Sequence, residues 1–362
     1  MGILATPQAV TEQFQSKVYN PNTVQPQPDV TAVAYGRDTN EKWIYCNYPE
    51  KLVWNGAAAP GFVESGHCIN RQTVSGTTEF FFSHNTTGTQ PYTYGVMCWN
   101  INEQPITVTK LNEGLENGWN AVNPWRKFFS STPVSYNIGK GQGVWIMEHT
   151  VSGSAFHGMM RIQCDQPVEV TVYAFTGKTM SGGEPMTPYD PENCDCDEDS
   201  EEYGAFKQYS GLGEGFYNQL ALTMKASEMP KYFWNNHPNT PNTNEIIPIH
   251  LADGTVAAAG RPSPRHNVGN WCAHYFNNIT LQNDTAVTKT FRAFFGEPLN
   301  AGACGIIHSA AGTISMDGGA GSCWKWFEHT LAPGETYQFN YEYILGTNSS
   351  GPACFMWTAD DK

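Results

Sequence analysis

Two strand-rich stretches dominate the C-terminal part of the sequence, NWCAHYFNNITLQNDTAVTKTFRAFF (270–295) and KWFEHTLAPGETYQFNYEYI (325–344). In the second stretch, Tyr337, Phe339, Tyr341 and Tyr343 alternate with Gln338, Asn340 and Glu342. This period of two is typical of a strand with one apolar and one polar face. The preceding Pro333-Gly334 pair predicts a tight turn, because proline presets φ and glycine tolerates positive φ. We therefore expect antiparallel strands joined by short turns.

Earlier segments of the chain show the same order of features. The segment TYGVMCWNINEQPITVTKL (93–111) parallels 270–291, since each has a Cys-bearing strand, an Asn-centred turn and a Thr/Val-rich strand. The segment GKGQGVWIMEHTV (139–151) parallels GSCWKWFEHTL (321–331), and both contain Glu-His-Thr. Internal similarity of this kind indicates repeated structural units. The sequence predicts an all-β protein with two tandem β-sandwich domains of jelly-roll or Ig-like type.

Composition shifts along the chain predict the domain boundaries. We expect an extended N-terminal arm over 1–30, a first β-sandwich over 31–183, an acidic linker or loop over 184–205 and a second β-sandwich over 206–362. The arm is rich in Gln and Asn and contains Pro7, Pro21, Pro26 and Pro28. Such a segment is either a disordered terminus or an extended strand that pairs with a sheet edge of another subunit.

Charge and hydropathy exclude two classes of partner. The formal net charge is −14, whereas nucleic-acid binding needs a basic surface. No stretch approaches the roughly 20 apolar residues of a membrane span. The start MGILATPQAVTEQFQ (1–15) lacks the basic and apolar regions of a signal peptide. We nevertheless expect an extracellular or surface-exposed protein, which includes a virion component delivered without a cleaved signal.

Cysteine usage is compatible with an oxidising compartment. An even number of cysteines in a β-rich chain is typical of disulfide-bonded extracellular proteins. The alternative is that the thiols remain free and pack as small apolar side chains. The ten disulfide candidates are Cys46, Cys68, Cys98, Cys164, Cys194, Cys196, Cys272, Cys304, Cys323 and Cys354.

Several segments resemble a family of bacterial, mainly Gram-positive, surface β-sandwich proteins that are often called copper amine oxidase-like. The resemblance covers roughly 49–357 as a pattern of strands and turns. It implies an exported, non-catalytic β protein. This sequence lacks the N-terminal stalk domain of that family, so the resemblance implies no oxidase chemistry. The matching segments include TEFFFSHNTTG (78–88), GVMCWNINEQPITVT (95–109), NWCAHYFNNITLQNDT (270–285), GTISMDGG (312–319) and LAPGETYQF (331–339).

Two groups of residues are candidate metal ligands. The acidic residues Asp195, Asp197, Glu198 and Asp199 are hard oxygen ligands suited to Ca²⁺, although they lack EF-hand spacing. A solvated linker explains the same run of charges. A second group, containing Met147, His149, His157 and Met159, has the soft ligands that copper prefers, but buried methionines are common in cores. We therefore expect no cofactor, with Ca²⁺ as the alternative.

Tryptophans in loop-like segments are the candidate ligand-binding residues. Trp119, Trp125 and Trp234 lie among Asn and Asp residues, and the first two fall in a predicted loop over 112–131. Sugar rings stack on exposed aromatic planes, so these residues suit a glycan-binding surface. The alternative is that they form small cores beneath long loops. The segments G-x-S-x-G and H-E-x-x-H, the P-loop and the dinucleotide fingerprint are all missing from the sequence, so we expect no enzymatic activity.

These observations favour a structural or assembly protein. We expect it to self-associate into a homo-oligomer or polymer, such as a filament or surface layer, through the N-terminal arm and its sheet edges. The alternative is a carbohydrate- or receptor-binding module on a cell or phage virion surface.

Overall fold

The computed structural model describes most of the predicted strands. The described residues are 2–10, 19–20, 25–26, 36–38, 42–46, 51–53, 67–87, 92–120, 122–175, 211–214, 217–234, 247–250, 266–267, 272–296, 303–318, 322–346 and 354–362. Strands dominate these residues, so the prediction of an all-β protein is confirmed. The acidic segment 184–205 lies outside the described residues, so the boundaries predicted there remain predictions.

The described strands are numbered in chain order. They are β1 Ile3–Ala9, β2 Tyr19–Asn20, β3 Gln25–Pro26, β4 Gly36–Asp38, β5 Lys42–Cys46, β6 Lys51–Val53, β7 His67–Thr87, β8 Tyr92–Trp99, β9 Ile106–Asn117, β10 Val134–Ile138, β11 Gly143–Val151, β12 Ala155–Phe175, β13 Gly211–Glu214, β14 Tyr217–Lys225, β15 Lys231–Trp234, β16 Ile247–His250, β17 His266–Asn267, β18 His274–Gln282, β19 Lys289–Gly296, β20 Ala303–Ser309, β21 Gly312–Gly318, β22 Cys323–Leu331, β23 Thr336–Leu345 and β24 Cys354–Asp361. Helix α1 spans Asn123–Ser130, and a short 3₁₀ helix spans Ala226–Glu228.

The chain divides into two compact units that are discontinuous in sequence. The first unit comprises Met1–Asp38, Tyr217–Ile246 and Val268–Lys362, and the second comprises Thr39–Phe216 and Ile247–Asn267. Residues from both ends of the chain thus belong to the first unit. A division by sequence position alone does not reveal this arrangement, because strand pairing brings distant segments together.

The first unit contains two sheets whose facing sides are aromatic. Their strand orders are β1-β22-β19-β24-β15 and β21-β20-β23-β18-β14-β4. Ring centroids of Trp326 and Tyr341, from opposite sheets, lie 4.9 Å apart. Trp326 is skipped in the register of β22 with β19, and this bulge buries both Trp326 and its neighbour Phe327. On β23 the tyrosines and Phe339 face inward and the polar residues outward, as the alternation predicts.

The second unit is built on two long antiparallel strands, β7 and β12. The first half of β12 also pairs with β9 and the second half with β8, so this strand serves two neighbours. The register shifts between Cys164 and Val168, where Pro167 has no N–H to donate. Phe82, Tyr94 and Phe156 from three strands pack together in the core, with the Tyr94 and Phe156 centroids 4.9 Å apart.

A buried asparagine forms the same corner in each unit, and we call these the asparagine corners. Asn283 lies between β18 and β19; its side-chain amide donates to the carbonyl oxygens of Val287 at 2.8 Å and Leu331 at 2.9 Å. Asn100 lies between β8 and β9 and donates likewise to Gln104 at 2.8 Å and Ile138 at 3.0 Å. Each corner therefore joins one strand connection to a second connection that is distant in the sequence.

The turns that follow β10 and β22 have matching backbone hydrogen bonds at the two corners. The Asn283 N–H donates to Glu335 O at 3.0 Å, and the Asn100 N–H donates to Gln142 O at 2.9 Å. Gly334 and Gly141 occupy the same place in these turns with φ of 78° and 65°, as the Pro333-Gly334 signal predicts for the former. The β10–β11 connection thus corresponds to the β22–β23 connection, and each joins two strands that are not paired with each other. The parallel drawn between 139–151 and 321–331 is wrong, and the shared Glu-His-Thr lies on non-equivalent strands.

Candidate functional site

The predicted loop over 112–131 is largely regular structure. Strand β9 continues to Asn117, and helix α1 follows after a short connection. The helix lies against β9 at Gly114, where an added Cβ would be 1.8 Å from the carbonyl oxygen of Pro124. Trp125 and Phe128 on the inner face of α1 are fully buried. The proposed ligand-binding role of Trp125 is therefore wrong, because an amphipathic helix turns this side chain into the core.

Among the three candidate tryptophans, Trp119 is the one whose ring is shown at the surface. Its side chain is 50% exposed and follows Gly118, whose φ of 91° turns the chain after β9. The Gly118 N–H donates to Ala155 O at 2.7 Å, which ties the turn to β12. Trp234 lies on β15, and its side chain is outside the described residues. Only Trp119 of the three candidates is thus shown with an accessible ring.

A buried histidine supports the inner side of Trp119. The His157 ring lies 4.7 Å from the Trp119 ring, centroid to centroid, and is 1% exposed. His157 Nδ1 lies 3.0 Å from Ser83 Oγ, and its Nε2 is buried without a hydrogen-bond partner in the structure. Burial lowers the pKa of His157 to about 4, so the ring is neutral at pH 7. The Trp119 ring therefore packs against a neutral, buried imidazole.

The polar residues beneath Trp119 form one row across three strands. In the register of the sheet, His157 on β12 is opposite Glu116 on β9 and Ser83 on β7. Burial acts to raise the pKa of Glu116, but hydrogen bonds from Lys127 and Asn123 lower it overall. Glu116 is therefore ionised and paired at neutral pH. Sequence analysis missed this row, because alternation predicts the faces of strands but not which residues are opposite each other.

A polar pocket of about 440 Å³ lies between β9 and the residues after α1. Its charged groups are paired: Lys110 contacts Glu113, and Lys127 lies 2.9 Å from Glu116. His149 also lines the pocket, and burial, outweighing the opposing effect of Glu113, lowers its pKa. Hydroxyl groups of Ser131 and Thr132 add donors and acceptors. The pocket therefore combines the apolar side chains of Leu115 and Val134 with paired charges and hydroxyl groups.

The predicted methionine–histidine cluster does not converge. His149 stacks on the core residue Phe156 at 5.0 Å, whereas His157 is the next residue on β12 and points to the opposite face. Met147, Met159 and Met160 are buried. Among the described residues, no three His, Cys, Asp or Glu side chains are grouped to hold a metal ion. The acidic candidates Asp195, Asp197, Glu198 and Asp199 lie outside the described residues.

Two of the disulfide candidates are free thiols. Cys98 and Cys164 are buried in the core of the second unit. Burial raises the pKa of both thiols, that of Cys164 to about 11, so they are protonated and unreactive at neutral pH. Cys98 and Cys164 therefore form no disulfide in this structure and pack as small apolar side chains of the core. Cys46, Cys272, Cys304 and Cys323 are also buried, and the remaining candidates lie outside the described side chains.

Comparison with known proteins identifies no family for this chain. No protein-family model and no curated protein matches it. The solved structure of the PBSX exported protein XepA is 11% identical, with 85% of this chain and 92% of that chain covered and a TM-score of 0.20. An oxalate decarboxylase is 9% identical, with 98% and 85% covered and a TM-score of 0.14. Likenesses this low carry no argument about fold or function. Within the described residues, no helix has the length and apolarity needed to cross a membrane.

Proposed function

We propose that this chain is a non-catalytic structural protein of a cell or virion surface that self-associates into a filament or layer. In this proposal each unit is a β-sandwich, an architecture supported in the first unit by the Trp326–Tyr341 contact between its sheets. The observation that carries the proposal is strand β1. Strand β1 pairs with β22 at the edge of the sheet β1-β22-β19-β24-β15. All other strands of this sheet come from residue 231 onward. Addition of a strand to a sheet edge is a common mode of protein association.

Exposed sheet edges provide further surfaces for self-association. Among the described strands, those terminal in the strand orders of the three larger sheets are β1, β15, β21, β4, β10 and β17. Edge strand β10 carries Val134, which is 44% exposed. An exposed apolar side chain on an unpaired edge favours pairing with another chain, because the edge presents free N–H and carbonyl groups. These edges therefore suit contacts between copies.

Deletion of residues 1–10 is expected to abolish assembly. The deletion removes β1 and its main-chain hydrogen bonds to β22, and short edge strands contribute little to the rest of the sheet. Negative-stain electron microscopy and light scattering measure the change, with Gln8→Ala as a control because this side chain is exposed. Circular dichroism checks that the shortened protein remains folded. Assemblies of unchanged size after the deletion would contradict the role of β1.

Glycan binding is a second candidate function, supported by Trp119. A half-exposed indole whose inner side packs against a buried imidazole suits a sugar ring that stacks on the outer side. Trp119→Ala is expected to weaken glycan binding by about ten-fold or more, since aromatic anchors at binding hot spots often contribute more than about 1.4 kcal/mol. A glycan array followed by calorimetry provides the measurement.

The matched control for glycan binding is Val287→Ala. This side chain is also 50% exposed but belongs to the first unit, whereas Trp119 belongs to the second. Equal affinity of the Trp119→Ala variant and the unchanged protein for every array ligand would rule out this function.

A further inference from the structure

Strand β1 pairs with β22 at Ile3, Gln8 and Ala9, and two further backbone hydrogen bonds flank this pairing. The Val10 N–H donates to Cys323 O at 3.0 Å, and the Glu328 N–H donates to Gly2 O at 3.2 Å. Between these ends the register with β22 shifts, and Pro7 has no N–H to donate. The same backbone bonds form with any β22 edge of identical sequence, whether it belongs to this copy or another.

The side chains of β1 are shallowly packed. Ile3, Leu4 and Pro7 are partly buried, and the other side chains of β1 are exposed. Gly2 fits closely beneath Tyr337, because an added Cβ would lie 2.8 Å from the Tyr337 hydroxyl oxygen. The β22 edge therefore buries the side chains of β1 only partly, with one close contact, at Gly2. A strand can pair with, and dissociate from, such an edge more readily than a strand in the interior of a sheet.

The connection from β1 to the next strand of the first unit is long enough to reach a second copy. Residues 11–35 link β1 to β4 and include the β2–β3 pair. Without that pair, 11–18 and 27–35 can span at most roughly 55 Å at about 3.3 Å per residue. A compact domain of about 150 residues is roughly 40 Å across. The connection is therefore long enough to cross the width of one such domain.

We propose that β1 of one copy pairs with β22 of a second copy of this chain, in the register Gln8 opposite Lys325 and Ala9 opposite Trp324. This inference rests on the proposed function and names its partner and interface. The contact is heterologous, since β1 and β22 are different surfaces. Repetition from copy to copy therefore produces an open filament or a closed ring.

Disulfide trapping between two differently labelled copies tests the exchange. One protein carries Gln8→Cys, the other carries Lys325→Cys, and the two are co-expressed and oxidised. Residues directly opposite on paired strands have Cβ atoms about 4.5–5.5 Å apart, close enough for a disulfide after small adjustments. We expect a disulfide-linked species of doubled mass on a non-reducing gel. In a chain with both substitutions we expect a ladder of covalent multimers.

The control pair is Thr280→Cys with Gln338→Cys. These residues are opposite each other on β18 and β23, inside the sheet of one unit, so no interchain product is expected from the mixture. Faster migration of the doubly substituted Gln8→Cys, Lys325→Cys monomer without any interchain product would overturn the exchange. Absence of both products would overturn the β1–β22 pairing itself.

Electron microscopy of the same samples separates this inference from the proposed function. Ordered assemblies with intrachain disulfides alone would refute strand exchange but leave self-association through other edges intact. Uniform monomers without interchain disulfides would refute both.

Discussion

Gly114→Ala is expected to lower the free energy of unfolding by about 3 kcal/mol, the upper end of the usual range for an overpacked site. The added Cβ would lie 1.8 Å from the Pro124 carbonyl oxygen and 2.3 Å from the Phe128 nitrogen, and both are backbone atoms of α1. Backbone cannot move aside as a flexible side chain can. The helix must therefore lift from β9 and partly expose Trp125 and Phe128, which are fully buried in the unchanged protein.

Urea denaturation followed by tryptophan fluorescence measures this loss. Gly139→Ala is the matched control, because its Cβ would meet only the flexible side chain of Gln142. A stability change in Gly114→Ala no larger than in Gly139→Ala would show that α1 does not pack closely on β9.

Asn283→Ala is also expected to lower the free energy of unfolding by about 3 kcal/mol, because buried hydrogen-bonding groups lose their partner. The Asn283 amide donates to Val287 O and Leu331 O, and its oxygen accepts from Thr285 N and Oγ1 at 3.1 and 2.7 Å. Asn283 is fully buried, so water replaces none of these bonds without opening the corner. Asn283→Asp tests the direction of the bonds, since a carboxylate cannot donate to the two carbonyl oxygens.

Chemical denaturation of three variants measures the effect. We expect Asn100→Ala to cause a loss of similar size, because the corner in the second unit has the same bonds. Asn340→Ala serves as the control, since Asn340 is exposed on β23. Wild-type stability of the Asn283→Asp variant would contradict the assignment of its amide as the donor.

Local patterns in the sequence were sufficient for much of the fold. Period-two alternation predicts β23 and its buried face. The Pro333-Gly334 pair and Asn283 predict the two turns at the corner of the first unit. These signals depend on neighbouring residues alone, so a single sequence contains them.

Helix α1 and the burial of Trp125 were not predicted from the sequence. The helix is only eight residues long and is stabilised by packing on Gly114 rather than by its own propensity. The sequence there reads as an aromatic loop, and only contact with β9 distinguishes the buried Trp125 from the exposed Trp119. Side-chain exposure in short elements is thus a property of tertiary packing.

By itself, the sequence determined the all-β class, the individual strands and the chemistry of their turns. The tertiary structure decided the pairing of those strands: which segments form each unit, how the asparagine corners match, and that β1 adds to β22. It also placed Ser83, His157 and Glu116 in one row beneath Trp119. The physical reason is that strand character is local, whereas register and pairing depend on contacts between residues far apart in the chain.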